Sequence, residues 1–433
     1  MTPNFIVTRN NIELGYINTS KFKTQTLSLT LTIPLTKRAY LLNMLLAGIM
    51  RRGTKSYPSL SILNKHLDEL YASNVDINSI PSANTLSLNV SSDLICNDYV
   101  LDKTDVLGGV LEVIRDLILS PLTDENGIIL AKSLESEATL LRDMLLGEKN
   151  NTRSYAAMRT KELLHRDDDL FPTLEYLLDN IQGVSAEELT EYYHSLLNNA
   201  SISVFYTGNM GISELEDKIT DIFGSLSSGN RIVAKGMTAP TRRLCEVTED
   251  MPVNQSKLCM GFTTGTGFGK ADMHVAMILN ELLGASPASK LFLNVREKLG
   301  LCYYCSSSYS PVSGNLTISS GIDSANKDKA IREIFAQLDA LRSGDISETE
   351  LLAARRSIEY GYEQIYDSPF SLQNFYTLRA SFGVEESVEE CKQKLLSVTR
   401  EQVSELASKI IFDSMYFINA TNKDGESEVT ENE

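Results

Sequence analysis

The stretch 184–208, VSAEELTEYYHSLLNNASISVFYTG, has an echo at 398–420, VTREQVSELASKIIFDSMYFINA. Each opens on Val and a hydroxyl residue, Ser185 or Thr399, with Glu188 or Gln402 three positions later. That spacing is a capping box, in which the hydroxyl and the third side chain satisfy orphan amides at a helix start reciprocally. A helical run follows, and each segment ends in an apolar strand, ISVFYTG or SMYFINA. Capping boxes are common, and a third, Ser347 with Glu350, opens another helix. Occurrence in the same slot of two copies is what carries weight.

Working outward, the two halves run through one order of elements. In the first, KTQTLSLTLTIPL alternates as a strand, and a helix from about Arg38 to Arg52 places Leu42, Leu45, Leu46 and Ile49 on one face. A second helix ends in LDELYAS. The strand-like runs DINSIPS and NTLSLNVSSD, the amphipathic GGVLEVIRDLILS and the long helix KSLESEATLLRDMLL come next. In the second half the same slots hold QSKLCMGFTT, MHVAMILNELLG, FLNVREKLG, the pair LCYYCSSSYS and GNLTISSGI, KAIREIFAQLDALR and TELLAARRSIEYGYEQI. The expectation is an α+β fold of two homologous α/β sandwich domains, each a mixed or antiparallel sheet packed with helices, related by internal duplication. The Gly-, Ser- and Pro-bearing LSSGNRIVAKGMTAPTRRL lacks periodicity and marks a linker at 226–244. The domains are then 1–225 and 245–420, with an acidic tail at 421–433.

Composition narrows the function. The 433 residues are 42% hydrophobic and 22% charged, a globular balance, and the formal net charge is -17. Nucleic acid is excluded as a partner, because phosphate contacts need clustered Lys and Arg. The pairs Arg51-Arg52 and Arg355-Arg356 lie in helical patterns and read as solvated faces. The N-terminus lacks a charged segment followed by an apolar one, and nowhere do some 18 apolar residues run uninterrupted, so no membrane association and a cytoplasmic location are expected. Six scattered cysteines agree with a reducing compartment.

The four histidines, His66, His165, His194 and His274, are far apart in sequence, so no helix presents paired imidazoles one turn apart. Cys302 and Cys305 form a CxxC inside a strand-like stretch, where alternation is expected to send the thiols to opposite faces. The glycine run at Gly265 to Lys270 lacks phosphate-loop spacing, with Ala271 where a hydroxyl is needed, and no G-x-S-x-G elbow is present.

The segment ASKLFLNVREKLGLCYYCSSSY resembles the second-domain signature of the pitrilysin/insulinase peptidases, the family that includes mitochondrial processing peptidase. RRGTKSYPS, RSYAAMRTKELLH and 184–210 are similar to other parts of that family, so the resemblance covers almost the whole chain. The chain looks like the zinc-less, YmfF-like bacterial branch. Active members carry HxxEH just before the Gly-Thr of RRGTKSYPS and a further glutamate ligand on the later long helix. Here the matching positions hold Met44, Ala47 and Gly48, with Asp143 as the expected match for the distant carboxylate. The resemblance therefore implies no metal and no catalytic residue in this chain, and zinc only in a partner.

Arg296 and Tyr303 match the family's arginine and tyrosine, which hold the substrate backbone and stabilise charge on the attacked carbonyl. Strand alternation should turn the neighbouring Tyr304 to the other face. The resemblance thus implies a non-catalytic, substrate-binding subunit that complements a zinc-bearing pitrilysin-family partner in a heterodimeric metallopeptidase acting on peptides or small precursors. An extended peptide would add to a sheet edge, placed at INSIPSANTLSL. The alternatives are a peptide-binding or scaffolding protein with no role in hydrolysis, and independent activity through an unrecognised metal site.

Overall fold

The computed structural model describes residues 2–8, 11–236 and 243–421. Positions 237–242 of the expected linker and 422–433 of the expected tail lie outside the described residues. In the first half the strands are β1 (Asn4–Val7), β2 (Glu13–Asn18), β3 (Thr24–Pro34), β4 (Asn74–Ser82), β5 (Thr85–Ile95) and β6 (Ser201–Gly208). Its helices are α1 (Lys37–Arg52), α2 (Leu60–Glu69), α3 (Val106–Leu119), α4 (Ala131–Gly147), α5 (Thr152–Leu164), α6 (Leu174–Asn180), α7 (Ala186–Asn199) and α8 (Ile212–Phe223). The second half has β7 (Cys245–Met251), β8 (Ser256–Thr263), β9 (Cys302–Ser310), β10 (Asn315–Ile322) and β11 (Ile411–Ala420). Its helices are α9 (Met273–Asn280), α10 (Lys327–Arg342), α11 (Glu348–Gln364), α12 (Pro369–Ser381), α13 (Val388–Ser397) and α14 (Arg400–Lys409), and two wide-turn π segments follow α9 at Glu281–Ala285 and Leu291–Lys298.

The duplication is explicit in the sheets. One has the order β1-β2-β6-β3-β5-β4 and the other β7-β11-β8-β10-β9. In both, the last strand of the half pairs parallel with the first core strand, β6 with β2 and β11 with β7. The remaining neighbours, β6-β3-β5-β4 and β11-β8-β10-β9, are antiparallel. β1 is an addition to the first copy, antiparallel to β2. Strand β3 explains why such a sheet needs two helical layers: Leu27, Leu29 and Leu31 are fully buried, and so are the alternating Thr26 and Ser28.

The compact units do not coincide with the contiguous halves. One is made of 1–146, 170–235 and 363–388, and the other of 147–169, 236–362 and 389–433. Helix α12, from the second half of the sequence, packs on β3 and β6 of the first unit. Reciprocally, α5 from the first half packs on β8, β10 and β11 of the second. Gly261 of β8 allows that approach, since a Cβ there would stand 2.9 Å from Leu164 at the end of α5 and 2.6 Å from the Ser414 hydroxyl.

The closing helices differ in detail. At α14 the box is complete, Thr399 accepting from the Gln402 amide and Gln402 from the Thr399 amide. Ser347 and Glu350 complete theirs as well, with bonds of 3.2 and 2.8 Å. At α7 only half forms. Ser185 accepts from the Glu188 amide, but the Glu188 carboxylate is paired with Arg38 of α1.

Candidate functional site

Helix α1 begins at the Thr36 cap and ends with Gly53, whose φ of 148° no side chain tolerates well. Leu41, Leu42, Leu45, Leu46 and Ile49 are buried along it, which fixes its rotation. Ala47 and Gly48 are buried and Met44 is half-buried. Gly48 is in contact with the next helix in the site: a Cβ built on it would overlap Oε1 of Glu137 on α4. Arg52, one turn beyond Gly48, holds that carboxylate through two nitrogens, Nη2 and Nε standing 2.8 and 2.9 Å from Oε2. The Glu137 side chain is 12% exposed.

This corrects the choice of Asp143. The acidic residue over the degenerate helix is Glu137, a glutamate like the family's distant ligand. Asp143, six residues on, is rotated by about a third of a turn and is exposed. Residue type points to a glutamate of SLESEATLL, Glu135 or Glu137, and only the rotation of the helix selects Glu137. Arg51 and Arg52 are likewise more than solvated faces: Arg52 neutralises Glu137, and Arg51 reaches a strand edge described below.

The side chains here do not fit a zinc ion. Four-coordinate zinc wants imidazole, thiolate or carboxylate donors, and Ala47 and Gly48 have none, while Met44 offers only a soft thioether. The remaining carboxylate already has a permanent cation as its partner.

Arg296 lies in the last turn of Leu291–Lys298, its guanidinium 4.7 Å from the Phe292 ring centroid and 3.5 Å from Glu297. The chain reverses at Gly300, φ 58°, and enters β9, the edge strand. Here the register slips. Tyr304 pairs with Gly321 and Cys302 with Ile322, so Tyr303 is an extra residue, a β-bulge. Its side chain is 71% exposed, and its hydroxyl makes no hydrogen bond among the described residues. Tyr304 is half-buried under Arg153 of α5, 4.1 Å from guanidinium to ring centroid, and burial pushes its phenol up to about 12.

The bulge overturns the expectation for the thiols. Ser320 and Ile322 lie on one face of β10; Cys305 is opposite the first and Cys302 opposite the second, so both cysteines share that face. A bulge is invisible to a reading by alternation.

The expected peptide-binding edge also needs revision. Of the two strands in that stretch, β4, residues 74–82, is at the border of its sheet, whereas β5 lies between β3 and β4. At Ile77 the carbonyl accepts from Arg51 Nε at 2.8 Å and the amide donates to Asp76 Oδ1 at 2.8 Å. Arg51 and Asp76 are themselves 3.2 Å apart, and Pro81 has no amide to offer.

Residues 183–358 match a family model described as the peptidase M16 inactive domain. The chain is thus similar to M16 peptidases, the pitrilysin-type family, and its similarity is to members described as inactive as well as to a zinc protease. It is 26% identical over 405 residues, 94% of its own length and 95% of the other, to the probable inactive metalloprotease YmfF of Bacillus subtilis (strain 168). It is 25% identical over 235 residues, 54% of this chain and 56% of the other, to the uncharacterized zinc protease YmxG of the same strain. Among solved structures, a conserved protein from Enterococcus faecalis V583 superposes with a TM-score of 0.88 at 23% identity, covering 98% of this chain and 100% of that one. Among the described residues, no helix is long and apolar enough to cross a membrane.

Proposed function

We propose that this chain is the non-catalytic, substrate-binding subunit of a heterodimeric zinc peptidase, working in the cytoplasm on peptides or small precursors. The zinc and the general base belong to a pitrilysin-family partner. The carrying observation is a contrast within one chain. The helix that would hold metal presents Met44, Ala47 and Gly48 with Glu137 locked to Arg52, whereas Tyr303 stands out in solvent on a bulge just after Arg296. A planar guanidinium and an exposed phenol are suited to gripping a peptide backbone and donating to a developing oxyanion.

The test mixes the purified chain with a zinc-bearing M16 subunit and follows cleavage of a peptide library. Cleavage should require both chains and fall about a hundred-fold with Arg296→Ala or Tyr303→Phe, the scale of losing one oxyanion donor. Undiminished cleavage by both variants removes the assigned roles. A second reading, a scaffolding protein with no part in hydrolysis, is favoured by the occupied edge at Ile77, which leaves β4 less able to accept a peptide strand. Stable assembly with a partner and no cleavage at any ratio would select it.

A further inference from the structure

Cys302 and Cys305 are gathered with Ser320 on one face of the β9–β10 pair. Cys305 is buried, with 3% of its surface exposed, and Cys302 is half-buried at the strand's outer end. Each thiol acts on the other's ionisation, and the Ser320 hydroxyl opposite Cys305 donates to the Tyr304 carbonyl. The guanidinium of Arg296 adds a positive field at Cys302. This differs from the ordinary buried cysteine, an inert small apolar group, in having a second cysteine next along the same strand face and a fixed cation whose field reaches it.

We propose that Cys302 and Cys305 form a peroxide-reactive dithiol, with Cys302 the attacking sulfur and Cys305 the resolving one. A hydroperoxide supplies the oxidant. The Cys302 thiolate attacks the distal peroxide oxygen, the O–O bond breaks, and the product is Cys302 sulfenic acid with water or an alcohol released. The Cys305 sulfur then attacks the Cys302 sulfur, the S–O bond breaks, its hydroxyl leaves as water with the Cys305 proton, and a disulfide remains. Two thiols are oxidised by two electrons, and one peroxide is reduced.

The division of labour follows from exposure, Cys302 being half-buried and reachable while Cys305 is buried. The neighbouring Cys305, aided by Ser320 and the Arg296 charge, pulls the Cys302 thiol down to about 7 against its burial. The same interaction, together with burial, raises the Cys305 thiol well above the usual range. The inner sulfur is therefore protected until the outer one has reacted. Bond formation across the bulge also draws together the backbone on either side of Tyr303, so oxidation alters how that ring is presented. The reactivity of the pair does not depend on what Tyr303 holds.

The full-length reduced chain carries its own control in Cys245, which is half-buried as well. With iodoacetamide at pH 6.5, Cys302 should be alkylated about five-fold faster than Cys245, the larger thiolate fraction being partly offset by its lower nucleophilicity. With hydrogen peroxide, the tryptic peptide from Leu299 to Lys327 should lose two hydrogens. Cys305→Ser should instead leave a sulfenic acid on Cys302 that dimedone traps, and Cys302→Ser should abolish both products. Equal or slower alkylation of Cys302 overturns the proposal, and so does over-oxidation of Cys302 while Cys305 stays free. The alkylation rates come from the unaltered protein, so they decide the matter even if a variant fails to fold.

Discussion

Oε1 of Glu137 occupies the space that the first side-chain carbon of any residue other than glycine at position 48 would need. The acid has moved into the volume that a larger residue would claim, and Arg52 keeps it there. Glycine inside a helix normally costs about 1 kcal/mol relative to alanine. Gly48→Ala should nonetheless be close to neutral, because the methyl displaces Glu137 from Arg52 and forfeits about 1 kcal/mol of a partly buried charged pair. In a Glu137→Ala background the same change should stabilise by about 1 kcal/mol. Urea midpoints for the four proteins give the coupling, and an identical effect of Gly48→Ala in both backgrounds would refute the arrangement.

The edge at Ile77 makes a second prediction. Removing its two side-chain partners together, Arg51→Ala with Asp76→Ala, should change stability by less than about 1 kcal/mol, as expected of an exposed pair. It should also leave an open amide and carbonyl on a border strand, which promotes pairing with other chains. Sedimentation velocity should detect self-association in the double variant and none in the parent. A variant that stays as monomeric as the parent would show that these side chains do not guard the edge.

Helix α5 seats on β8 because Gly261 leaves room for Leu164. Gly261→Val should cost about 1–3 kcal/mol by overpacking, with the slope of the urea transition unchanged. Leu164→Ala, destabilising by itself, should be less so in the Gly261→Val background. Additivity of the two changes would mean the contact is not the cause.

The fourth prediction concerns acid. Glu249 of β7 is bonded to Tyr416, to Lys149 at 3.2 Å and to Tyr155 at 3.2 Å. Burial pushes its carboxyl up, but the bonds from Tyr416, Lys149 and Tyr155 outweigh it and hold the group below its usual range. A carboxylate held low in the folded state contributes stability above its unfolded value, about 4.3, and loses it as pH falls through the folded one. The stability gap between the protein and Glu249→Gln should therefore be constant from neutrality to about pH 5 and shrink below about 4.3. A gap that widens in acid would reverse the sign.

Much of the fold is legible in the chain because it is written twice. The matching order of elements anticipates two sheets of one topology, and both are found, with β1 as an addition. What escapes is long-range. Nothing in TRSYAAMRTKELL says that its helix packs on the sheet built from the other half, since burial of an apolar face does not name the partner. The site divides in the same way. The missing donors at Met44, Ala47 and Gly48 can be read directly. Glu137 could not be chosen over Asp143 without the helix rotation, and the slip at Tyr303 hid the shared face of the two cysteines.

The crossing of α5 and α12 ties the two copies together more firmly than a linker does. A break opened in the 226–244 segment would leave fragments that each lack one layer of their own sheet and carry a layer belonging to the other. Such fragments, made separately, should be insoluble, and made together they should reconstitute, as in a split reporter. A duplicated gene whose products have traded parts in this way can no longer be divided back into its two ancestors.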